Sequence, residues 1–163
     1  MDRATPPHET QTPNFSYARF QETAPAAVAA LRALTKAVED AGLEKDLIEI
    51  VKLRVSQING CAFCLAFHLD VARRLGIAQD KLDLVAAWRD APVFSARERA
   101  ALAFAEQATL MAAAPAAVDA HGALLAEFSE AEAMHLMVAI ATINAWNRIA
   151  GGLHFPPLAP RRA

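Results

Sequence analysis

Glu49-Ile50-Val51-Lys52-Leu53-Arg54-Val55-Ser56-Gln57-Ile58-Asn59-Gly60-Cys61-Ala62-Phe63-Cys64-Leu65-Ala66-Phe67-His68 is the stretch on which the reading of this chain turns. Its first half belongs to a helix expected from about Glu44 to Asn59. Leu47, Val51, Val55 and Ile58 form one apolar stripe while Ile48, Ile50 and Leu53 lie off it, so that helix belongs in a core or against a partner subunit. Gly60 breaks it, and a second helix is expected over Cys61 to Gly76. There Cys61, Cys64 and His68 are the i, i+3 and i+7 positions of a single face, which brings two thiols and an imidazole together. The free N–H groups and partial positive charge of a helix start favour thiolate over thiol, lowering a cysteine from about 8.5 towards neutrality. A reactive dithiol able to close to a disulfide is expected.

Working outward, the whole chain favours helices. Of its 163 residues 55% are hydrophobic, enough for one compact domain, and alanine and leucine outnumber aromatic and β-branched residues. An all-α fold of about seven helices follows. A formal net charge of -2 and no stripe of lysine and arginine argue against a nucleic-acid partner. The opening residues from Met1 to His8 have neither the basic start nor the apolar core of a secretory signal. No stretch reaches the roughly eighteen apolar residues of a membrane span. A cytoplasmic protein is expected, and in that reducing compartment a close cysteine pair is redox-active or metal-binding sooner than a structural staple.

Residues 1–24, with Pro6, Pro7 and Pro13 among polar residues, read as an extended N-terminal arm in which Phe15, Tyr17 and Phe20 are docking points. Residues 25–152 form the helical domain. Pro25 opens a helix carrying Val28, Leu31, Leu34 and Val38 that closes at Gly42. Beyond the cysteines, a helix from Gln79 to Trp88 precedes Pro92, and Ser95 with Glu98 forms a capping box before a helix whose apolar face is Ala100, Phe104, Ala108 and Met111. Pro115 opens a shorter helix through Val118, Leu125 and Phe128. A second capping box, Ser129 with Glu132, starts the longest helix, apolar around its circumference and ended by Gly151-Gly152. Residues 153–163 are an irregular tail.

Two buried cysteines can be no more than small apolar side chains. The helix break, the histidine four residues after Cys64 and the lack of any other cysteine argue against that. Zinc is a further alternative, with Cys61, Cys64 and His68 as ligands and Glu49 or His135 as the fourth, but the second separated ligand pair of a structural site is missing. Glu49, in an apolar surround, must turn to solvent or be held by a partner. His135 reads as a packed or capped core histidine, and His8, His121 and His154 carry no motif.

The run Leu53 to His68, with Glu49 twelve residues ahead of Cys61, resembles the alkylhydroperoxidase D-like (AhpD-like) branch of the carboxymuconolactone decarboxylase family. The stretches Trp88 to Glu98 and Asn144 to Ile149 share the likeness, which covers about Phe15 to Ile149. The resemblance implies an all-helical, homo-oligomeric protein, a trimer or hexamer, with thiol peroxidase activity on hydrogen or organic peroxides. It implies Cys64 as the peroxidatic cysteine, Cys61 as the resolving one, His68 and Glu49 as proton carriers, and an external dithiol reductant such as a lipoyl-type adaptor. No cofactor or metal belongs to this expectation. The residues themselves leave the order of the thiols open: position at the helix start favours Cys61 as the more acidic, and His68 one turn beyond favours Cys64. One departure stands out. Phe63 occupies the place of a relay histidine and cannot carry a proton, so Glu49 must act directly, through water, or not at all. A redox sensor with little turnover, and a lactone-acid decarboxylase, are the rival functions.

Overall fold

In the computed structural model, residues 15–113 and 120–158 are described. Eight α-helices run in chain order as α1 (Tyr17–Thr23), α2 (Pro25–Asp40), α3 (Lys45–Ile58), α4 (Ala62–Arg74), α5 (Gln79–Leu84), α6 (Ala96–Thr109), α7 (Ala120–Glu127) and α8 (Glu130–Gly152). A 3-10 turn, Val85–Ala87, follows α5. There is no strand among the described residues. None of their helices is long and apolar enough to cross a membrane.

The all-α expectation holds, with one helix more among the described residues than the seven expected. The extra one is α1, where an extended arm was expected. Ser16 caps it by accepting from the Arg19 N–H at 3.2 Å, and Tyr17 and Phe20, three apart and so on one face, both pack on the main core. That docking fulfils the expectation for these two aromatics. Phe15 stays exposed, and Pro6, Pro7 and Pro13 lie outside the described residues.

Helix α3 is the axis of the molecule. Its Leu47, Ile48, Val51 and Val55 enter a core shared with α2, α4, α6, α7 and α8. Ile50 and Leu53 point the other way, into a second core with Ala72, Leu82, Val85, Trp88, Phe94 and Leu102. An all-round apolar helix is what this double burial requires. Helix α8 packs along it, its start fixed by the Ser129 and Glu132 capping box, as α6 is fixed by Ser95 and Glu98.

Three local expectations change. The segment expected as a helix to Trp88 leaves α geometry after Leu84, and Arg99 holds the chain that follows by donating to the carbonyls of Trp88, Arg89 and Ala91. Met111, placed on the apolar face of α6, lies beyond its end and is 76% exposed, because Ala101, Leu102 and Ala105 supply the buried positions. Leu34 is exposed, so Val28 and Val38 alone are the buried positions of α2. Pro115 and Val118 lie outside the described residues.

Candidate active site

The site is built at the junction of α3 and α4. Gly60 has φ +65°, the left-handed conformation that a side chain disfavours. With it, the Cys61 N–H donates to the Ser56 carbonyl at 3.1 Å and the Gly60 N–H to the Gln57 carbonyl at 3.2 Å, the paired bonds of a Schellman ending. Cys61 therefore leaves α3 in a fixed place and serves at once as the N-cap of α4, its Sγ accepting from the Cys64 N–H at 3.3 Å. One helical turn then sets the Cys64 Sγ 2.7 Å from the Cys61 Sγ. Both cysteines are free thiols, their sulfurs close to the disulfide length of about 2.05 Å.

Behind Cys61 lies a polar lattice inside an apolar core. The buried Asn147 of α8 donates to the Ser56 Oγ at 3.1 Å and accepts from the Asn59 Nδ2 at 2.9 Å, which fixes its carboxamide beside the thiol pair. The Cys61 thiol is lowered to about 7, first because the Cys64 thiol donates to it and against the opposing effect of burial, with the Cys64 N–H and the Asn147 amide adding to the stabilisation of its thiolate. The Cys64 thiol is raised, because it keeps the proton it donates to Cys61 and because it is buried. The first proton lost from the pair leaves its negative charge on Cys61.

On the other side of Cys64 sits a second charged group. His68, one turn after Cys64 on α4, holds its Nδ1 2.7 Å from the Glu49 Oε2 of α3, and the Lys52 Nζ donates to the Glu49 Oε1 at 2.8 Å. Burial would raise the Glu49 carboxyl, but the hydrogen bond and charge of His68, with Lys52, hold it below the ordinary value. A carboxylate accepting from Nδ1–H leaves the histidine Nε2 free to exchange a proton. Glu49 thus meets His68 directly, with no side chain between them. Phe63 instead joins an aromatic cluster, 5.5 Å from the Phe155 ring and 5.7 Å from Tyr17.

Cys64, His68, Glu49 and Phe63 line one cavity of about 610 Å³, while Cys61 does not reach it. All four expected residues are brought together, and of the two cysteines Cys64 alone lines the space a small molecule would occupy. His135 is not part of the site: expected as a packed or capped core histidine, it is half-buried on α8 and not core, with its Nδ1 capped 2.8 Å from the Ala131 carbonyl oxygen one turn back. Among the described residues no three histidine, cysteine or acidic side chains are placed to hold a metal ion. Lys52 and Asn147 were missed from the sequence. The i, i+3 spacing of Lys52 from Glu49 was a usable signal, whereas nothing local links Asn147 to Cys61 across 86 positions.

The carboxymuconolactone decarboxylase family profile matches residues 22–107. The uncharacterized protein YdfG of Bacillus subtilis is 30% identical over 131 residues, 80% of this chain and 89% of that protein. A crystal structure from Agrobacterium tumefaciens, of a protein of unknown function provisionally assigned to antioxidant defence as an AhpD, superposes with a TM-score of 0.82 at 38% identity, covering 86% of this chain and 97% of that one. The debrominase Bmp8, solved with 2,3,4-tribromopyrrole, shares the fold at 20% identity and a TM-score of 0.76, over 85% of this chain and 74% of its own.

Proposed function

The chain belongs to the carboxymuconolactone decarboxylase family, and from that premise and the geometry of its dithiol we propose that it is a thiol-dependent peroxidase reducing hydrogen or organic peroxides. The observation that carries this reading is the Cys64 sulfur lining a cavity beside the Glu49–His68 pair, with the acidic Cys61 sulfur 2.7 Å behind it. In the first step the hydrogen between the sulfurs passes to Cys61 and the Cys64 thiolate attacks the distal peroxide oxygen. An S–O bond forms, the O–O bond breaks, and the alkoxide takes a proton from the Glu49–His68 pair and leaves as an alcohol. Sulfur has lost two electrons and the peroxide has gained them. Cys61, now holding that hydrogen, gives it up as its sulfur attacks the sulfenic sulfur; the S–O bond breaks, the hydroxyl leaves with that proton as water, and the Cys61–Cys64 disulfide awaits two electrons from an external dithiol of the lipoyl type. The working form is a cytoplasmic homo-oligomer, trimer or hexamer.

Peroxide consumption with a dithiol reductant, and dimedone trapping read by mass spectrometry, test the assignment. Cys64→Ser abolishes turnover, Cys61→Ser accumulates the label on Cys64, and Glu49→Gln lowers kcat by about 100-fold while still forming the disulfide. Full turnover in Cys64→Ser, or no labelling and no consumption in any form, sinks the peroxidase reading in favour of a redox sensor.

A further inference from the structure

The walls of the cavity at Cys64 are apolar, among them Val38, Ile48 and Ile143, and its mouth leaves Phe67, Leu75 and Leu158 exposed. Four cations and two carboxylates also line it. Half are in ion pairs: Lys36 pairs with Asp40 at 2.7 Å, and Lys52 with Glu49. Arg32 is different. Among the described residues it forms no ion pair, and its guanidinium donates to the Tyr17 Oη at 2.8 Å. Lys45 and Glu39 are the other lining charges in no ion pair. A hydroxyl that accepts from a guanidinium keeps its own proton to donate, so Arg32 and Tyr17 offer convergent donors at the rim. The Tyr17 ring in turn stacks 5.7 Å from Phe63, the residue next to Cys64, which ties this rim to the reacting sulfur. An apolar chamber with a reactive sulfur in its wall and a guanidinium with free N–H groups at its mouth matches a molecule with an apolar body and a carboxylate end.

We propose that the cavity selects amphipathic carboxylates, and that the favoured peroxide is an aliphatic acid hydroperoxide held by its carboxylate on Arg32 and Tyr17. This rests on the peroxidase reading above for its chemistry, but the binding site can be tested apart from it. Calorimetric titration of the reduced protein with octanoate and with octan-1-ol compares one chain length with and without the charge. Octanoate binds about tenfold more tightly, Arg32→Met erases that preference without weakening octan-1-ol, and Arg32→Lys restores part of it. Turnover of a fatty-acid hydroperoxide and of its methyl ester should then show a lower KM for the acid in the wild type and equal KM values in Arg32→Met. Equal affinity for the two probes, a preference that survives Arg32→Met, or no binding of either because another copy of the chain fills the mouth overturns the proposal. Octanoate preference without any peroxide consumption keeps the carboxylate site and removes the hydroperoxide substrate. Peroxide consumption without discrimination removes the carboxylate site alone.

Discussion

At the scale of single residues, the two cysteines share an environment but not a role. Cys61 is the better anion, since the Cys64 thiol and the N–H at the start of α4 donate to it and the dipole of the neighbouring Asn147 amide favours its thiolate. Cys64 has the access. An acidic resolving thiol behind the attacking one suits a sulfenic acid that must be captured quickly, because the second nucleophile gives up its proton readily. Ultraviolet titration at 240 nm should show the first thiolate appearing at about 7, and peroxide reduction should rise with pH through that value and then level. The sign for stability is the same: a thiol whose folded value is depressed stabilises the fold above its ordinary value, and that contribution is lost as pH falls through about 7. Asn147→Ala should move the thiolate midpoint upward, and an unchanged midpoint would show that the amide plays no part. Of this, the sequence made the thiolate at a helix start legible. It did not show Asn147, whose place beside Cys61 depends on two helices distant in the chain.

At the scale of elements, the α3–α4 junction does three things with few residues. Gly60 ends α3, the Cys61 N–H completes that ending, and the Cys61 sulfur begins α4. A Cβ at Gly60 would meet nothing within 4 Å, so glycine is needed there for its positive φ and not for space. Gly60→Ala should therefore cost about 1 kcal/mol in urea unfolding and slow disulfide formation, because relaxing φ rotates Cys61 away from Cys64. A variant with wild-type stability and oxidation rate would show that the junction tolerates the strain. This element was readable in advance, since helix stops and starts are written in adjacent residues. Helix α1 was not: its Ser16 cap is local, but what holds it is the Phe63, Trp146 and Phe155 surface, assembled from distant parts of the chain.

For the whole molecule, two cores on opposite sides of α3 make that helix the piece everything else depends on. Leu53 is fully buried in the second core, away from the cavity, so Leu53→Ala should lower unfolding stability by about 2–5 kcal/mol while leaving the thiol titration in place in the folded fraction. A loss below about 1 kcal/mol would mean that the second core collapses around the gap. The same fold carries a debrominase in Bmp8, so architecture alone does not choose a substrate; the cavity lining and its charges must. The sequence by itself determined the helical class, the break at Gly60, both capping boxes and the grouping of Cys61, Cys64 and His68, because each depends on neighbours within about two helical turns. Only the tertiary structure decided that Glu49 reaches His68 without an intermediary, that Cys64 and not Cys61 opens on the cavity, and that Arg32 stands at its mouth. Those relations are set by how α2, α3, α4 and α8 pack against one another, and packing is a property of surfaces meeting in space that no local spacing encodes.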